Sequence, residues 1–458
     1  MRRNSWQDGL QETNCPILPG ENWTYSFQTK DQIGSFFYFP SLLMQKAAGG
    51  YGAIRVNNLP AVPIPFPRPF KEYDVLIGDW FNADYRGMRA SLDRGNLLPQ
   101  PDGILINGQG PEKARLEFEP GATYRLRISN VGLKTSLNFR IQGHSMLLVE
   151  TEGSYTNQKY YDNLDIHVGQ SYSVLVKAKK KTNGKSYFMV ASSRFTTSEQ
   201  VGIGIISYPD SVANPLKPLP KGPALSDFNS SLQQARSIRW NLTAGAARAN
   251  PQGSFHYGSI NISRILVLEN NLMLLGNKAR FTVNGVSFVH PDTPLKIADY
   301  FQLEDVFQPG SFPDRPTAGP PSLGTSFIDV LYRDYYHIVF KNPLSELQTW
   351  HIDGYNFFVV GMDWGVWNES KKAGYNMIDA VSRSTIQVYP SSWTAILIQL
   401  DNMGMWNLRS QNAEKWYLGQ ELYLRVKGVG NDDPSTISPR DEAPMPKNVI
   451  KCGRAINL

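Results

Sequence analysis

Tyr124-Arg125-Leu126-Arg127-Ile128 alternates apolar and basic residues without a break. A repeat of two belongs to a β-strand, whose successive side chains point to opposite faces, so this stretch predicts a strand with one face on a core and the other in water. The same period recurs in Tyr172, Val174 and Val176, and in Leu422, Leu424 and Val426 set against Glu421, Arg425 and Lys427. Trp393-Thr394-Ala395-Ile396-Leu397-Ile398 is apolar on both faces and predicts a strand held between two layers. Helical periodicity over ten or more residues is scarce. The fold class expected is all-β.

A length of 458 residues asks for about three domains at roughly 150 residues each. Proline marks the joints. In Pro60-Ala61-Val62-Pro63-Ile64-Pro65-Phe66-Pro67-Arg68-Pro69 the last four prolines fall at every second position, and each lacks the N–H that a sheet interior needs. Residues 1–66 therefore form a first block, shorter than the ~100 residues of a complete β-sandwich. Residues 67–213 form a second block and residues 214–235 a Pro-rich linker. Residues 236–430 form a third block, interrupted by a loop with five prolines at 309–321. Residues 431–458 read as a polar tail.

Lys+Arg 46 against Asp+Glu 40 leaves a net charge of +6, mild for this length, and no long basic run is present to bind nucleic acid. The densest cluster, Lys177, Lys179, Lys180, Lys181 and Lys185, surrounds Asn183-Gly184, which predicts a solvated hairpin tip. No stretch approaches the ~18 apolar residues of a membrane helix. Two cysteines, Cys15 and Cys452, exclude a Cys-rich zinc module and leave one long-range bridge to consider. His144, His167, His256, His290 and His337 are scattered, and surface or hydrogen-bonded core roles are expected for them. Nucleotide-binding, Gly-x-Ser-x-Gly, His-Glu-x-x-His and Cys-x-x-Cys signatures are all missing. Asn-x-Ser/Thr sequons stand at Asn22, Asn229, Asn241, Asn261 and Asn368. The opening Met1-Arg2-Arg3-Asn4-Ser5-Trp6-Gln7-Asp8-Gly9 has no apolar leader segment. Two readings follow: a cytosolic protein with idle sequons, or a chain that begins downstream of its natural start.

Three stretches are more specific: Ile33-Gly34-Ser35-Phe36-Phe37-Tyr38-Phe39-Pro40-Ser41; Thr349-Trp350-His351-Ile352-Asp353-Gly354-Tyr355-Asn356-Phe357; and Asp401-Asn402-Met403-Gly404-Met405-Trp406-Asn407-Leu408-Arg409. They resemble the copper motifs of plant multicopper oxidases, in the ascorbate-oxidase-like branch that includes the monocopper-oxidase-like proteins. Arg2 to Gly9, Leu105-Ile106-Asn107-Gly108, Asn250-Pro251-Gln252-Gly253 and Tyr417-Leu418-Gly419-Gln420 support the resemblance in order along the chain. It implies three cupredoxin-like Greek-key β-sandwich domains, the first incomplete here. In active members a type 1 copper sits in the third domain, and a three-copper cluster lies between the first and third, held by thiolate and imidazole ligands.

The family's ligand positions are read one by one. The first His-x-His falls on Phe39 and Ser41. The His-x-x-His-x-His positions are Gln348, His351 and Asp353. The His-Cys-His core is Arg409, Ser410 and Gln411, with the following His near Lys415. His351 alone keeps its ligand type. Ser410 removes the soft anionic ligand, and Arg409 brings a permanent cation to where Cu²⁺ would sit. No copper or other cofactor is therefore expected. Instead, Asp353 and Arg409 are expected to pair as a buried interdomain latch, with Phe39 and Ser41 facing Gln348, His351, Asp353, Arg409 and Gln411.

The resemblance further implies a disulfide from Cys15 to Cys452, glycosylation at the sequons, and a secreted product of the apoplast or cell wall. The function expected is that of a non-catalytic wall glycoprotein in cell expansion or pollen-tube growth, with acidic wall polysaccharide as a partner for its basic surface. The alternative is an oxidase of reduced copper content acting on ascorbate or phenols. Because Met1 aligns inside the first domain of relatives, the leader, the opening strands and an earlier His-x-His motif are expected to lie upstream, outside a truncated chain.

Overall fold

In the computed structural model, residues 3–29, 32–211, 215–243, 261–308, 310, 312–428 and 442–458 are described. His256 and the 250–253 stretch lie outside them. The described chain is built on strands, with four short α-helices. The alternating stretches form Thr123–Asn130, Ser171–Lys177 and Glu421–Lys427, as their period requires.

Two β-sandwiches dominate. In the first, a five-stranded sheet ordered Asn163–Ile166, Leu137–Ile141, Tyr187–Ser193, Val201–Ser207, Ala114–Glu117 faces a six-stranded sheet containing Lys71–Trp80, Thr123–Asn130, Ser171–Lys177 and Met146–Thr151. Val75, Leu126, Ile128, Phe139, Leu148 and Val174 fill the space between and are almost wholly buried. In the second, an eight-stranded sheet containing Arg264–Leu275, Tyr335–Asn342, Ser392–Gln399 and Phe357–Trp364 packs on a five-stranded one. That smaller sheet is ordered Phe327–Leu331, Glu421–Lys427, Gly404–Ser410, Gln348–Ile352, Thr385–Val388.

The strand Ser392–Gln399 meets its expectation of burial on both faces. Ile396 and Ile398 point into the sandwich, while Trp393, Ala395 and Leu397 pack outward beneath Trp367 and Ala380. Asn183 and Gly184 both take positive φ at an exposed tip with Lys180, Lys181 and Lys185, but the expected hairpin is corrected: the flanking strands Ser171–Lys177 and Tyr187–Ser193 lie in different sheets, so the turn crosses from one sheet of the sandwich to the other. Residues 312–321 hold no helix or strand.

The basic face of Thr123–Asn130 is a correction. Arg125 and Arg127 do not stand in water: they are 5% and 2% exposed. The first block covers them. Arg127 donates to Ser35 Oγ at 3.0 Å and to Glu72 at 2.7 Å, and Arg125 pairs with Glu150 at 2.9 Å beneath the Phe66 ring. Glu421 and Arg425 are buried likewise, at 1% and 7%. Charges can be enclosed in this way when each meets a partner at hydrogen-bond distance.

Among its described residues the first block contributes one two-stranded sheet, Gly34–Tyr38 against Gly52–Val56. It straddles the two sandwiches. Ser35 reaches the first of them, while Trp6 is buried beside Ile297 of the second. The Cys15–Cys452 disulfide ties this block to the C-terminal tail, with Cα atoms 6.0 Å apart.

Candidate functional site: a buried ion-pair cluster at the three-block junction

Where the first block meets both sandwiches there is a cavity of about 920 Å³. Phe39, Ser41, His351, Asp353, Arg409 and Gln411 all line it. Antiparallel register explains the meeting of the last four. Gln348–Ile352 lies beside Gly404–Ser410 with His351 opposite Arg409, and the Asp353 N–H donates to the Asn407 carbonyl at 2.9 Å.

The centre of the site is an ion pair. Arg409, 3% exposed, donates through Nη1 to Asp353 Oδ2 and to Asn407 Oδ1, and its guanidinium lies 4.6 Å from the Trp416 ring centroid. His351 Nε2 lies 3.0 Å from Asp353 Oδ1, and its Nδ1 lies 2.8 Å from Thr385 Oγ1. Burial pushes the Asp353 carboxyl up, but the Arg409 charge and then the His351 hydrogen bond overcome it and hold the group down at about 2.

A second acid, Asp8, faces the same cavity. Burial, reinforced by the negative charge of Asp353, raises its carboxyl well above the usual range, and its Oδ2 has no hydrogen-bond partner. Lys46 sits below, donating to the Gly132 carbonyl at 2.9 Å with its ammonium 4.5 Å from the Phe39 ring centroid. Burial brings the Lys46 ammonium down to about 7.

One expected member, Gln348, does not reach the cavity, and neither does the vestigial ligand position Ser410. Gln348 is three residues from His351 and so projects to the other face of the strand, where Gln420 Nε2 donates to its Oε1 at 3.1 Å. Ser410, next to Arg409, is likewise turned away and fully buried, its Oγ accepting from the Asn412 N–H. Lys415 is enclosed too, its Nζ 2.8 Å from Glu346.

The latch is also corrected. Asp353 and Arg409 form the expected pair, but both belong to the second sandwich, so the pair does not itself join domains. A buried ion pair that does cross between the sandwiches is Arg383–Glu152, at 2.9 Å and 2% and 3% exposed. Glu152 also accepts from the Ser384 N–H at 2.7 Å and the Thr385 N–H at 3.0 Å, and Arg383 donates to the Tyr172 hydroxyl. Sequence reasoning missed Glu152 because Glu152-Gly153, both at positive φ, has the form of an exposed hairpin tip. Asp8 stood inside a quoted stretch without a role.

The donor set does not fit copper. The cavity offers one imidazole, already bonded on both nitrogens, and four carboxylates, of which Asp353 is neutralised by Arg409 and Glu152 by Arg383. Among the described residues no group of three or more His, Cys, Asp or Glu is placed to hold a metal ion. The Gln348, Ser410 and Lys415 positions supply an amide, a hydroxyl and an ammonium, none of them the soft donors that a thiolate–imidazole copper centre requires.

The other histidines serve the core and the junction. His144 bonds the Gln142 carbonyl and the Tyr208 hydroxyl, His167 bonds Ser136, and His337 bonds Tyr375. His290 lies 2.7 Å from Glu12 of the first block. Of the sequons, Asn22, Asn229, Asn261 and Asn368 are exposed and Asn241 is half-buried.

Models of the multicopper oxidase family match residues 1–61, 71–211 and 292–431. The chain is 49% identical to the monocopper oxidase-like protein SKU5 of Arabidopsis thaliana, covering 100% of this chain and 80% of that protein. It is 46% identical to an L-ascorbate oxidase homolog of Brassica napus, covering 100% of this chain and 82% of that protein. Among solved structures it superposes on the multicopper oxidase Fet3p with TM-score 0.76 at 19% identity, covering 93% of this chain and 78% of that one. A laccase from Botrytis aclada gives TM-score 0.75 at 20% identity, covering 94% and 76%. The sandwich architecture, the motif order and these matches agree: the chain belongs to the multicopper oxidase family, beside the plant monocopper oxidase-like proteins and ascorbate oxidase homologues.

Proposed function

We propose that this protein keeps the multicopper oxidase scaffold without its redox chemistry, and acts as a non-catalytic extracellular glycoprotein of the plant cell wall in cell expansion or pollen-tube growth. One observation carries the reading: an Arg409–Asp353–His351 cluster stands at the inherited metal position, with the Arg409 charge met by Asp353 and both imidazole nitrogens of His351 bonded. A guanidinium at that point repels a cation and cannot be deprotonated to make room for one. Exposed sequons and a long-range disulfide support an oxidising, secretory route. The mildly basic surface supports contact with acidic wall polysaccharide.

The relatives' names raise the alternative of copper-dependent oxidation, which would need donors that the described residues do not present. Copper reconstitution followed by elemental analysis tests the proposal. It expects far less than one copper per chain and no absorption from a thiolate–copper bond. One tightly held copper per chain would overturn it.

A further inference from the structure

Of the described histidines, His290 alone has a carboxylate on each ring nitrogen. Its Nδ1 lies 2.7 Å from Glu12 Oε1 and its Nε2 3.7 Å from Glu421 Oε1, the second contact within ion-pair range though longer than a hydrogen bond. Glu12 belongs to the first block. His290, which follows the strand Val286–Phe288, and Glu421, which opens Glu421–Lys427, belong to the second sandwich. The ring therefore spans a joint between blocks. Both acid side chains are only 1% exposed, whereas the imidazole is 38% exposed and can exchange its proton with solvent.

Each acid has one oxygen committed elsewhere. Glu12 Oε2 accepts the Leu295 N–H at 3.3 Å, and Glu421 Oε2 accepts from Asn407 Nδ2 at 2.7 Å and from the Trp416 indole N–H at 2.9 Å. The other oxygen of each faces the imidazole. A neutral imidazole carries one N–H and turns a lone pair toward the second acid, whereas the imidazolium offers a proton to both. Deprotonation thus leaves two buried carboxylates with a single N–H between them, an arrangement that burial penalises.

The surrounding charges do not take over this task. Arg280, on Lys278–Val283, donates to Ser287 Oγ at 3.0 Å and to the Phe288 carbonyl, Lys296 pairs with Glu442, and Asp292 pairs with Arg454 at 3.1 Å. Burial pushes the Tyr423 hydroxyl, which feels both acids, well above its usual range, so it stays neutral. We propose that Glu12–His290–Glu421 is an acid-closed latch: the imidazolium clamps the first block onto the second sandwich in mildly acidic solution, and its deprotonation on the alkaline side loosens residues 10–15. Burial opposes the imidazolium, but the Glu12 hydrogen bond and then the Glu421 and Glu12 charges outweigh both burial and the Arg280 charge, holding the group above its ordinary 6.5. A folded value above the unfolded one gives stability that is complete below pH 6.5 and is lost as pH rises through the folded value. Glu12, raised by burial, acts in the same sense, since its proton too is held more tightly in the folded chain. The Cys15–Cys452 bridge keeps the loosened block attached.

The test is hydrogen exchange of the full chain at residues 10–15, corrected for its intrinsic pH dependence and referred to the core strand Ser392–Gln399, from pH ~5.5 to ~8.5. Protection at 10–15 should fall by about fivefold or more across that range. His290→Gln, neutral throughout, should be poorly protected at both ends and show no slope. His290→Lys, cationic throughout, should keep its protection at the alkaline end. A cooperative thermal transition shows that both variants fold. A flat profile in the parent refutes the latch, as does a slope that survives His290→Gln or an alkaline loss in His290→Lys equal to the parent's. NMR titration of the His290 ring in the parent chain depends on neither variant: a midpoint above 6.5 is expected, and one at or below 6.5 refutes the latch.

Discussion

Replacing Arg409 by Met removes the cation from the inherited metal position while roughly keeping the length of the side chain. Arg409 is 3% exposed and the Asp353 side chain 12%, so the carboxylate left behind cannot simply hydrate. Breaking one partner of a buried pair costs about 3–5 kcal/mol, against well under 1 for an exposed pair. In a domain of this size, 1 kcal/mol moves the midpoint by about 2–4 °C, so the variant should melt roughly 6–20 °C lower. The pH dependence is a second readout. Asp353 is held at about 2 in the folded protein, below its ordinary value of 3.8, so it contributes stability above pH ~4 that is lost as pH falls toward 2. That contribution is about 2 kcal/mol, and without Arg409 burial governs the carboxyl and the acid-side loss should shrink or reverse. The assay is calorimetric melting of parent, Arg409→Met, Asp353→Asn and the double variant across pH 3–7. A midpoint shift of about 2 °C or less for Arg409→Met, with no coupling in the cycle, would refute the buried pair.

Other outcomes follow from neighbouring groups. Asp8→Asn should raise the melting temperature at neutral pH, because burial disfavours the charge it removes; the gain should vanish below pH ~4, where the carboxyl is protonated in both states, and a loss at pH 7 would contradict this. Glu152→Gln should loosen the contact between the sandwiches and increase proteolysis or hydrogen exchange at 383–385 relative to the cores, whereas unchanged protection there would deny it the junction role. Joint replacement of Cys15 and Cys452 by Ser should cost about 4 kcal/mol or more from the very long loop released, and non-reducing peptide mapping of secreted protein should show the two joined; finding both free would reject the bridge.

The strands were legible because their periodicity is local. Trp393 to Ile398 betrays burial on both faces by itself, and Asn183-Gly184 is a turn by its own backbone preference. The solvation of the second face was not legible. Arg125 and Arg127 look like a wet face until Glu72, Glu150 and Ser35 are brought from elsewhere in the chain to cover them. At the site, motif comparison located His351, Asp353 and Arg409 together. The turning away of Gln348 was in principle readable, since an odd separation from His351 puts it on the opposite face of the strand. Glu152 was not readable, because what makes it a buried hub is the approach of residues 383–385 to a hairpin tip.

On the function proposed here, an ion pair stands at the inherited metal position in place of copper. Its most direct test is metal analysis of purified protein after incubation with excess copper and removal of the loosely bound fraction, read together with the visible spectrum. The ion pair predicts copper at the level of trace contamination, on the order of 0.1 per chain or less, with no thiolate-to-copper band. Stoichiometric copper that disappears on His351→Ala would contradict it.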